Sequence, residues 1–120
     1  MITGCDTGLG REFAIQYAQA GFTVHATYRD PANRIDDARI GSDAASASGT
    51  PRHAVRLHHH GLDVTDFAQF ESLKRTLGDV PIDVLVSNAG IGRELSRFGS
   101  LDFDEVHRIL ITNTVGALKL

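Results

Sequence analysis

The chain has 120 residues, of which 42% are hydrophobic and 22% are charged, and its formal net charge is −3. This composition is typical of one globular domain, and the slight negative charge excludes the basic surface that nucleic-acid binding requires. Cys5 is the only cysteine, which excludes an internal disulfide, and no apolar run approaches the ~20 residues that span a bilayer. We therefore expect a cytoplasmic protein with neither a membrane nor a nucleic-acid partner.

A glycine-rich turn follows the first residues. Gly4, Gly8 and Gly10 lie in a Gly-x-x-x-Gly-x-Gly spacing, after an apolar start and before a helical pattern. Glycine is needed where the backbone turns tightly, and the unpaired N–H groups of the following helix attract phosphate. The spacing differs from the common Gly-x-Gly-x-x-Gly. An ordinary strand-to-helix turn is therefore the alternative to a phosphate site.

Apolar periodicity next predicts a helix and a strand. Residues 9–20 carry an apolar stripe at Leu9, Phe13 and Tyr17, with two alanines beside it. Residues 22–28 are β-branched and aromatic, which favours a strand. A strand, a helix and a strand in succession are typical of a parallel α/β sheet.

The pattern in the middle of the chain predicts first a less regular segment and then a third strand followed by a helix. A short helix is expected over 31–40, a polar loop over 41–51, and a third strand with its exit over 54–66. Asp66 and Gln69 have the spacing of a capping box. The helix that they open is expected to bury an apolar stripe made of Phe67, Phe70, Leu73 and Leu77.

The last part of the chain predicts one strand and one helix. Residues 82–86 form a short apolar strand of the kind covered on both faces, and a loop is expected over 91–100. Asp102 and Glu105 give a second capping-box spacing. The helix that follows has its stripe at Val106, Ile109, Leu110, Asn113, Ala117 and Leu120. The predicted fold class is α/β, a doubly wound parallel sheet with about four strands and three to four helices.

Three consecutive histidines invite a metal interpretation. His58, His59 and His60 lie at the predicted third strand, where successive side chains point to opposite faces. Adjacent histidines on a strand therefore cannot all converge on one ion, and no other cluster has ligand spacing. We expect no metal site.

Four motifs resemble the short-chain dehydrogenase/reductase family. They are residues 3–10, residues 62–66, Asn88-Ala89-Gly90 and Asn113-Thr114-Val115-Gly116, in the order and at about the separations found in that family. Tyr28-Arg29-Asp30 is similar to the carbonyl-reductase-like members. The resemblance implies a Rossmann fold that binds NADP(H) or NAD(H), and an oxidoreductase that reduces a carbonyl or oxidises an alcohol. It also implies a small-molecule substrate and a homo-oligomeric full-length protein.

The resemblance covers the part of these enzymes that mainly binds the cofactor. Few residues precede the first glycine, and residue 120 falls within the last predicted helix. We therefore expect residues 1–120 to be a partial NAD(P)-binding Rossmann domain that is truncated at both ends.

The resemblance also assigns cofactor contacts. The three glycines of the turn are implied to hold the pyrophosphate, and Asp63 and Val64 to border the adenine. The alternative for Asp6 and Asp63 is that each carboxylate caps a local turn. The full set of implied cofactor residues is Gly4, Asp6, Thr7, Gly8, Leu9, Gly10, Arg29, Asp63, Val64, Asn88, Ala89 and Gly90.

Arg29 is the residue expected to select the cofactor. It follows the second predicted strand, about twenty positions after the last glycine, where ribose contacts are made. A carboxylate at this place suits the 2′-hydroxyl of NAD(H), whereas a guanidinium suits the 2′-phosphate of NADP(H). We therefore favour NADP(H) with NAD(H) as the alternative, and Asp30 as a surface partner of Arg29.

Asn113 is implied to be catalytic, because it occupies the tetrad asparagine position that holds a water in the proton relay. A buried asparagine bonded only to backbone is the alternative. The family's serine and Tyr-x-x-x-Lys are absent, since neither Tyr17 nor Tyr28 is followed by lysine four positions later. This chain alone is therefore expected to be inactive. A non-catalytic NAD(P)-binding sensor or scaffold is the second hypothesis, and an epimerase of the extended branch is a third, disfavoured by the glycine spacing.

Overall fold

The computed structural model describes residues 1–38, 40, 56–92 and 101–120. The regular elements in these ranges begin with helix α1 (Gly8–Gln19), strand β1 (Thr23–Tyr28) and a 3-10 turn (Pro31–Asn33). Strand β2 (Arg56–Gly61), helix α2 (Phe67–Leu77) and helix α3 (Phe103–Leu110) follow. A π-helical segment (Ile111–Gly116) and a final α-helical turn, α4 (Ala117–Lys119), continue α3. The predicted loop over 41–51 and residues 93–100 of the last loop lie outside the described ranges.

The sheet is parallel and has the order of half a Rossmann fold. Strands β1 and β2 pair in register from Thr23 opposite Arg56 to Tyr28 opposite Gly61. On the other side of β1, Ile2 bridges in parallel to Ala26 and also to Val86. Numbered along the chain, the paired segments therefore lie in the order third, second, first, fourth. This arrangement confirms the predicted α/β fold class.

The first and fourth segments do not form full strands. The first segment pairs only through Ile2, which bridges to Ala26 and to Val86, and the strand expected over 82–86 is reduced to the bridge at Val86. The Val86 N–H donates to the Met1 carbonyl oxygen at 2.8 Å, and the Thr3 N–H donates to the Val86 carbonyl oxygen at 3.0 Å. A strand forms only along a paired backbone, and the segment before Gly4 offers few residues for pairing.

Helix α1 packs on the sheet through its small side chains. Gly10, Ala14 and Ala18 are buried, whereas Leu9 and Phe13 are 71% and 39% exposed. The helical period was predicted correctly. The prediction that the stripe of Leu9, Phe13 and Tyr17 faces the core was wrong. Small residues at i, i+4 and i+8 let the helix lie close against β1, so the larger side chains turn outward.

Helices α2 and α3 begin where the capping residues predict. The Asp66 carboxylate accepts from the Ala68 N–H at 3.1 Å, and the Asp102 carboxylate accepts from the N–H of Glu105 at 3.3 Å. The reciprocal half of the first capping box takes another form, because the Gln69 side-chain oxygen accepts from the Asp63 N–H at 2.8 Å. None of the described helices is long and apolar enough to cross a bilayer.

Three histidines share one face of the sheet. His25 Nδ1 lies 3.0 Å from His60 Nε2, and the His25 ring stacks on His58 with centroids 4.8 Å apart. His59 lies on the opposite face, where its ring nitrogens contact the Tyr28 hydroxyl and the Asp37 carboxylate. Among the described residues, no group of three or more histidine, cysteine or acidic side chains is arranged to hold a metal ion.

This cluster predicts a loss of stability in acid. Burial, followed by the charges of neighbouring imidazoles, lowers the pKa of His60, and burial, His58 and the Met1 amino group lower the pKa of His25. The unfolded chain therefore takes up these protons at a higher pH than the folded protein does. The stabilisation is complete above pH about 6.5 and is lost as the pH falls below that value.

Thermal unfolding of the full-length protein at about pH 7.5 and about pH 5.5 tests this expectation. We expect a lower midpoint at the acid pH, and a smaller difference in His60→Gln, which hydrogen-bonds without titrating. His107→Gln, on the exposed side of α3, should keep the full difference. An undiminished difference in His60→Gln would contradict the prediction.

Candidate functional site

The candidate site is a cavity of about 520 Å³ at the carboxyl ends of the paired segments. Ligands of open α/β sheets bind at this edge, where the strand order reverses. Most of the residues that the sequence proposes for the cofactor line this one cavity: Gly4, Asp6, Thr7, Leu9, Arg29, Asp63, Val64, Asn88, Ala89 and Gly90. Gly8 and Gly10 lie in the adjoining turn and the first residues of α1, and Asn113 contacts a lining residue from outside.

The glycine turn requires its glycines for two different reasons. Gly4 and Gly8 have φ angles of +69° and +59°, in the left-handed region that favours glycine. At Gly4 an added Cβ would also lie 2.7 Å from the Ala89 Cα. At Gly10 a Cβ would overlap the Asn88 amide and the Gly4 carbonyl oxygen. These close approaches bring the glycine turn and the segment after Val86 together.

Helix α1 begins without a side-chain cap. Its N-cap residue Thr7 makes no capping hydrogen bond, and its first turn holds no acidic residue. Helices α2 and α3, in contrast, are capped by Asp66 and Asp102. The first N–H groups of α1, beside the lining residues Thr7 and Leu9, therefore have no carboxylate partner of their own. An anion in the cavity would accept hydrogen bonds from these N–H groups.

The Thr3 hydroxyl joins the two halves of the site. It accepts from the N–H of Asn88 at 3.1 Å and from the N–H of Ala89 at 3.0 Å, and it lies 3.5 Å from the Val86 carbonyl oxygen. The Asn88 amide in turn donates to the carbonyl oxygens of Thr3 and Gly4 at 2.9 and 3.1 Å. Thr3 is fully buried. Sequence analysis missed its role, because a threonine within a glycine motif carries no sign of a distant partner.

Asp6 uses its carboxylate to hold the backbone after β1. Its two oxygens accept from the N–H groups of Arg29 at 3.0 Å and Asp30 at 2.9 Å. The alternative that the sequence left open was a cap on a local turn, whereas these bonds reach a segment more than twenty positions away along the chain. The Arg11 guanidinium donates to the Asn33 carbonyl oxygen at 2.8 Å and so fixes the same segment from α1.

Arg29 lines the cavity with an exposed side chain. The described residues show no ion pair between Arg29 and Asp30. The Asp30 carboxylate instead accepts from the Ala32 N–H at 2.9 Å and caps the 3-10 turn. The prediction of Asp30 as the partner of Arg29 is therefore corrected. The 3-10 turn competes for the carboxylate because its first N–H groups need an acceptor.

Asp63 caps a local turn, which is the alternative that the sequence left open for it. Its carboxylate accepts from the N–H and the hydroxyl of Thr65 at 2.8 and 2.7 Å. The neighbouring Val64 lies in close contact with the last helix at Gly116. A Cβ added to this glycine would lie only 2.8 Å from the Val64 carbonyl oxygen. The wall of the cavity after β2 is thus fixed by short contacts on both of its sides.

Asn113 clamps the segment after Gly90. Its Oδ1 accepts from the Ile91 N–H at 2.8 Å, and its Nδ2 donates to the Ile91 carbonyl oxygen at 2.8 Å. The residue is exposed and lies in the π-helical segment, so its predicted position on a buried stripe was wrong. The wider π turn changes the helical period on which the stripe was counted. These two hydrogen bonds occupy the side chain of Asn113, and its implied role in a proton relay stays a prediction.

Several lining residues escaped the sequence analysis. Thr65, Arg108 and Thr112 border the cavity from the exit of β2 and from the last helix. Cys5 lies behind the turn, where burial raises the pKa of its thiol to about 11, so it remains protonated at neutral pH. These residues are identified by their position in the fold, and no spacing in the sequence indicates that position.

A second cavity of about 580 Å³ lies at the amino ends of the strands, and its walls include Phe22, Val80 and Val84. Its lining is mainly apolar, and none of its described lining residues lies at the start of a helix. The first cavity is therefore the better candidate for a polar ligand.

Comparison with known proteins agrees with this geometry. The sequence profile of the family described as short chain dehydrogenase matches residues 1–120. The chain belongs to the short-chain dehydrogenase family. Retinol dehydrogenase 5 of Mus musculus is 32% identical over 98% of this chain and 34% of its own length. Very-long-chain 3-oxoacyl-CoA reductase of Laccaria bicolor is 35% identical over 100% of this chain and 34% of its own length.

A solved structure of another protein shares this fold. The alcohol dehydrogenase from Thermococcus sibiricus, complexed with 5-hydroxy-NADP, superposes with a TM-score of 0.76 and 26% identity. The match covers 98% of this chain and 47% of that one. This short-chain dehydrogenase sequence thus spans about a third of the length of the curated relatives that it matches.

The joint at Thr3 gives a prediction for this short-chain dehydrogenase. Thr3→Val keeps the shape but leaves the N–H groups of Asn88 and Ala89 without their acceptor, at a cost of about 2 kcal/mol in the free energy of unfolding. Thr3→Ser keeps the hydroxyl and should cost less than about 1 kcal/mol. Urea unfolding of the full-length variants measures both. Equal losses in the two variants would show that the hydroxyl is not the joint.

Proposed function

We propose that this chain binds NADP(H) in the cavity at the carboxyl edge of the sheet, as part of an oxidoreductase that reduces a carbonyl or oxidises an alcohol. The observation that carries the proposal is the uncapped start of α1 at a glycine turn, beside a cavity that Arg29 also lines. A helix start without an acidic cap is suited to a diphosphate. The cytoplasmic location and a homo-oligomeric full-length protein stay predictions.

The residues of the cavity fit the parts of a dinucleotide. In the proposal, the backbone between Gly4 and Gly10 holds the pyrophosphate, and Leu9 lines this turn. Asp63 and Val64 border the adenine. Asn88, Ala89 and Gly90 lie along the adenosine ribose. When bound, the nicotinamide exchanges a hydride with the substrate carbon, and a proton is exchanged at the substrate oxygen.

The acidic residues of the cavity do not oppose this assignment. The Asp6 carboxylate accepts from two backbone N–H groups, and the Asp63 carboxylate accepts from Thr65. Each negative charge is therefore stabilised locally by donors before any ligand is considered. Arg29 donates to Asp6 through its backbone N–H, and its guanidinium is the cation proposed for the 2′-phosphate.

Asn113 is proposed as the relay asparagine of the catalytic centre. Its side chain fixes Ile91, next to the proposed ribose site, so its contribution to a relay would come through the backbone of the π-helical segment. The sequence holds no Tyr-x-x-x-Lys, so the proton donor of the proposed reaction is not among these 120 residues. A non-catalytic sensor or scaffold is the alternative, and no observation favours it over the enzyme.

Cofactor selection by Arg29 is tested by Arg29→Asp in the full-length protein. Replacing the guanidinium with a carboxylate removes a charge-assisted contact and adds repulsion, so NADPH binding should weaken by at least about tenfold. NADH binding should be unchanged or stronger. Fluorescence titration with the two nucleotides gives both dissociation constants.

Arg75→Asp is the matched control, because Arg75 is exposed on α2 and bonded only to Ser72 among the described residues. This control should leave both constants unchanged. An unchanged ratio of the two constants in Arg29→Asp would remove Arg29 from the 2′-phosphate site. Absence of binding of either nucleotide to the wild-type protein would overturn the proposed function itself.

A further inference from the structure

Arg108 lines the candidate site, and no motif in the sequence identifies it. It lies in the last turn of α3, and it lines the candidate site on the side that Thr112 also borders. It also borders, with Thr65 and Ile111, a shallow neighbouring cavity of about 440 Å³. Arg108 therefore stands at the mouth of the site, next to the exit of β2 where the adenine is proposed to lie.

The guanidinium of Arg108 is held in place and remains accessible. It donates to the Glu105 carboxylate at 2.9 Å, one turn earlier on the same helix. The Glu105 side chain is only 17% exposed, whereas that of Arg108 is 62% exposed. A largely buried carboxylate thus anchors one nitrogen of the guanidinium, while most of the Arg108 side chain stays exposed to solvent.

The cavity offers a flat ring few partners for stacking. Among the described residues that line it, none is aromatic. The Asn88 amide is already used by the carbonyl oxygens of Thr3 and Gly4. Among the described lining residues, the planar cations are the guanidinium groups of Arg29 and Arg108. Because Arg29 follows β1 at the proposed 2′-phosphate, Arg108 is the planar cation on the adenine side.

We infer that Arg108 stacks its guanidinium on the adenine ring of the cofactor and contributes to binding of the adenosine half. Arginine stacks on flat π systems through its delocalised plane, in a way that lysine cannot reproduce. The inference rests on the proposed function, because it requires a dinucleotide in the cavity. It differs from the role of Arg29, since NADPH and NADH share the adenine and differ at the 2′-phosphate.

The test compares three probes on the full-length protein: NADPH, NADH and reduced nicotinamide mononucleotide, which has no adenine. Arg108→Ala should raise the dissociation constants of NADPH and NADH by about the same factor, about fivefold, and leave that of the mononucleotide unchanged. Arg108→Lys should lose most of the same affinity, because it keeps the charge without the plane. Arg75→Ala, away from the cavity, should change none of the three constants.

Each other result overturns the inference. Unchanged binding in Arg108→Ala means that the side chain does not contact the cofactor. Weaker binding of NADPH alone places Arg108 on the phosphate, and full affinity in Arg108→Lys reduces its role to charge. Failure of the wild-type protein to bind either dinucleotide instead overturns the proposed function, so the two failures are distinguishable. Unfolding temperatures of the variants exclude a loss of fold.

Discussion

The architecture of the site depends on a small set of hydrogen bonds between the start of the chain and the segment after Val86. Thr3 and Asn88 exchange both side-chain and backbone bonds across 85 positions of sequence. Regular strand pairing between these two segments is limited to a single bridge at Ile2. Hydrogen bonds from the side chains of Thr3 and Asn88 therefore join the two segments in place of a longer ladder of backbone bonds. Because Asn88 and Gly4, the neighbour of Thr3, line the cavity, the same bonds fix the fold and the shape of the site.

The electrostatics of the cavity follow from where its carboxylates are used. A chain with a net charge of −3 places Asp6 and Asp63 at the wall of a site proposed for an anion. Both carboxylates accept from backbone or hydroxyl donors nearby, whereas the start of α1 receives no carboxylate. The local field at that helix start is therefore set by its own N–H groups and by the arginines at the mouth. Net charge predicts nothing about such a site, because the potential there depends on the nearest few groups.

Close backbone approach is the second constraint on the site. Gly10 allows α1 to touch the Asn88 amide, and Gly116 allows the last helix to touch Val64. The buried alanines of α1 extend the same principle along the sheet. Small residues at these points let the elements meet at distances that any larger side chain would prevent. The exposed large residues of α1 are the complement of this packing, since the face that approaches the sheet has no room for them.

The sequence by itself determined the α/β class and the caps at Asp66 and Asp102, and its resemblance to the family named most of the residues that line the cavity. Periodicity, capping and glycine chemistry are local, so they can be read from neighbours along the chain. The tertiary structure alone decided which face of α1 is buried, that Asp6 holds the backbone after β1, and that Asn113 clamps Ile91. It also brought Arg108 to the mouth of the cavity. These outcomes depend on which distant groups compete for the same space or the same hydrogen bond, and such competition exists only once the chain has folded.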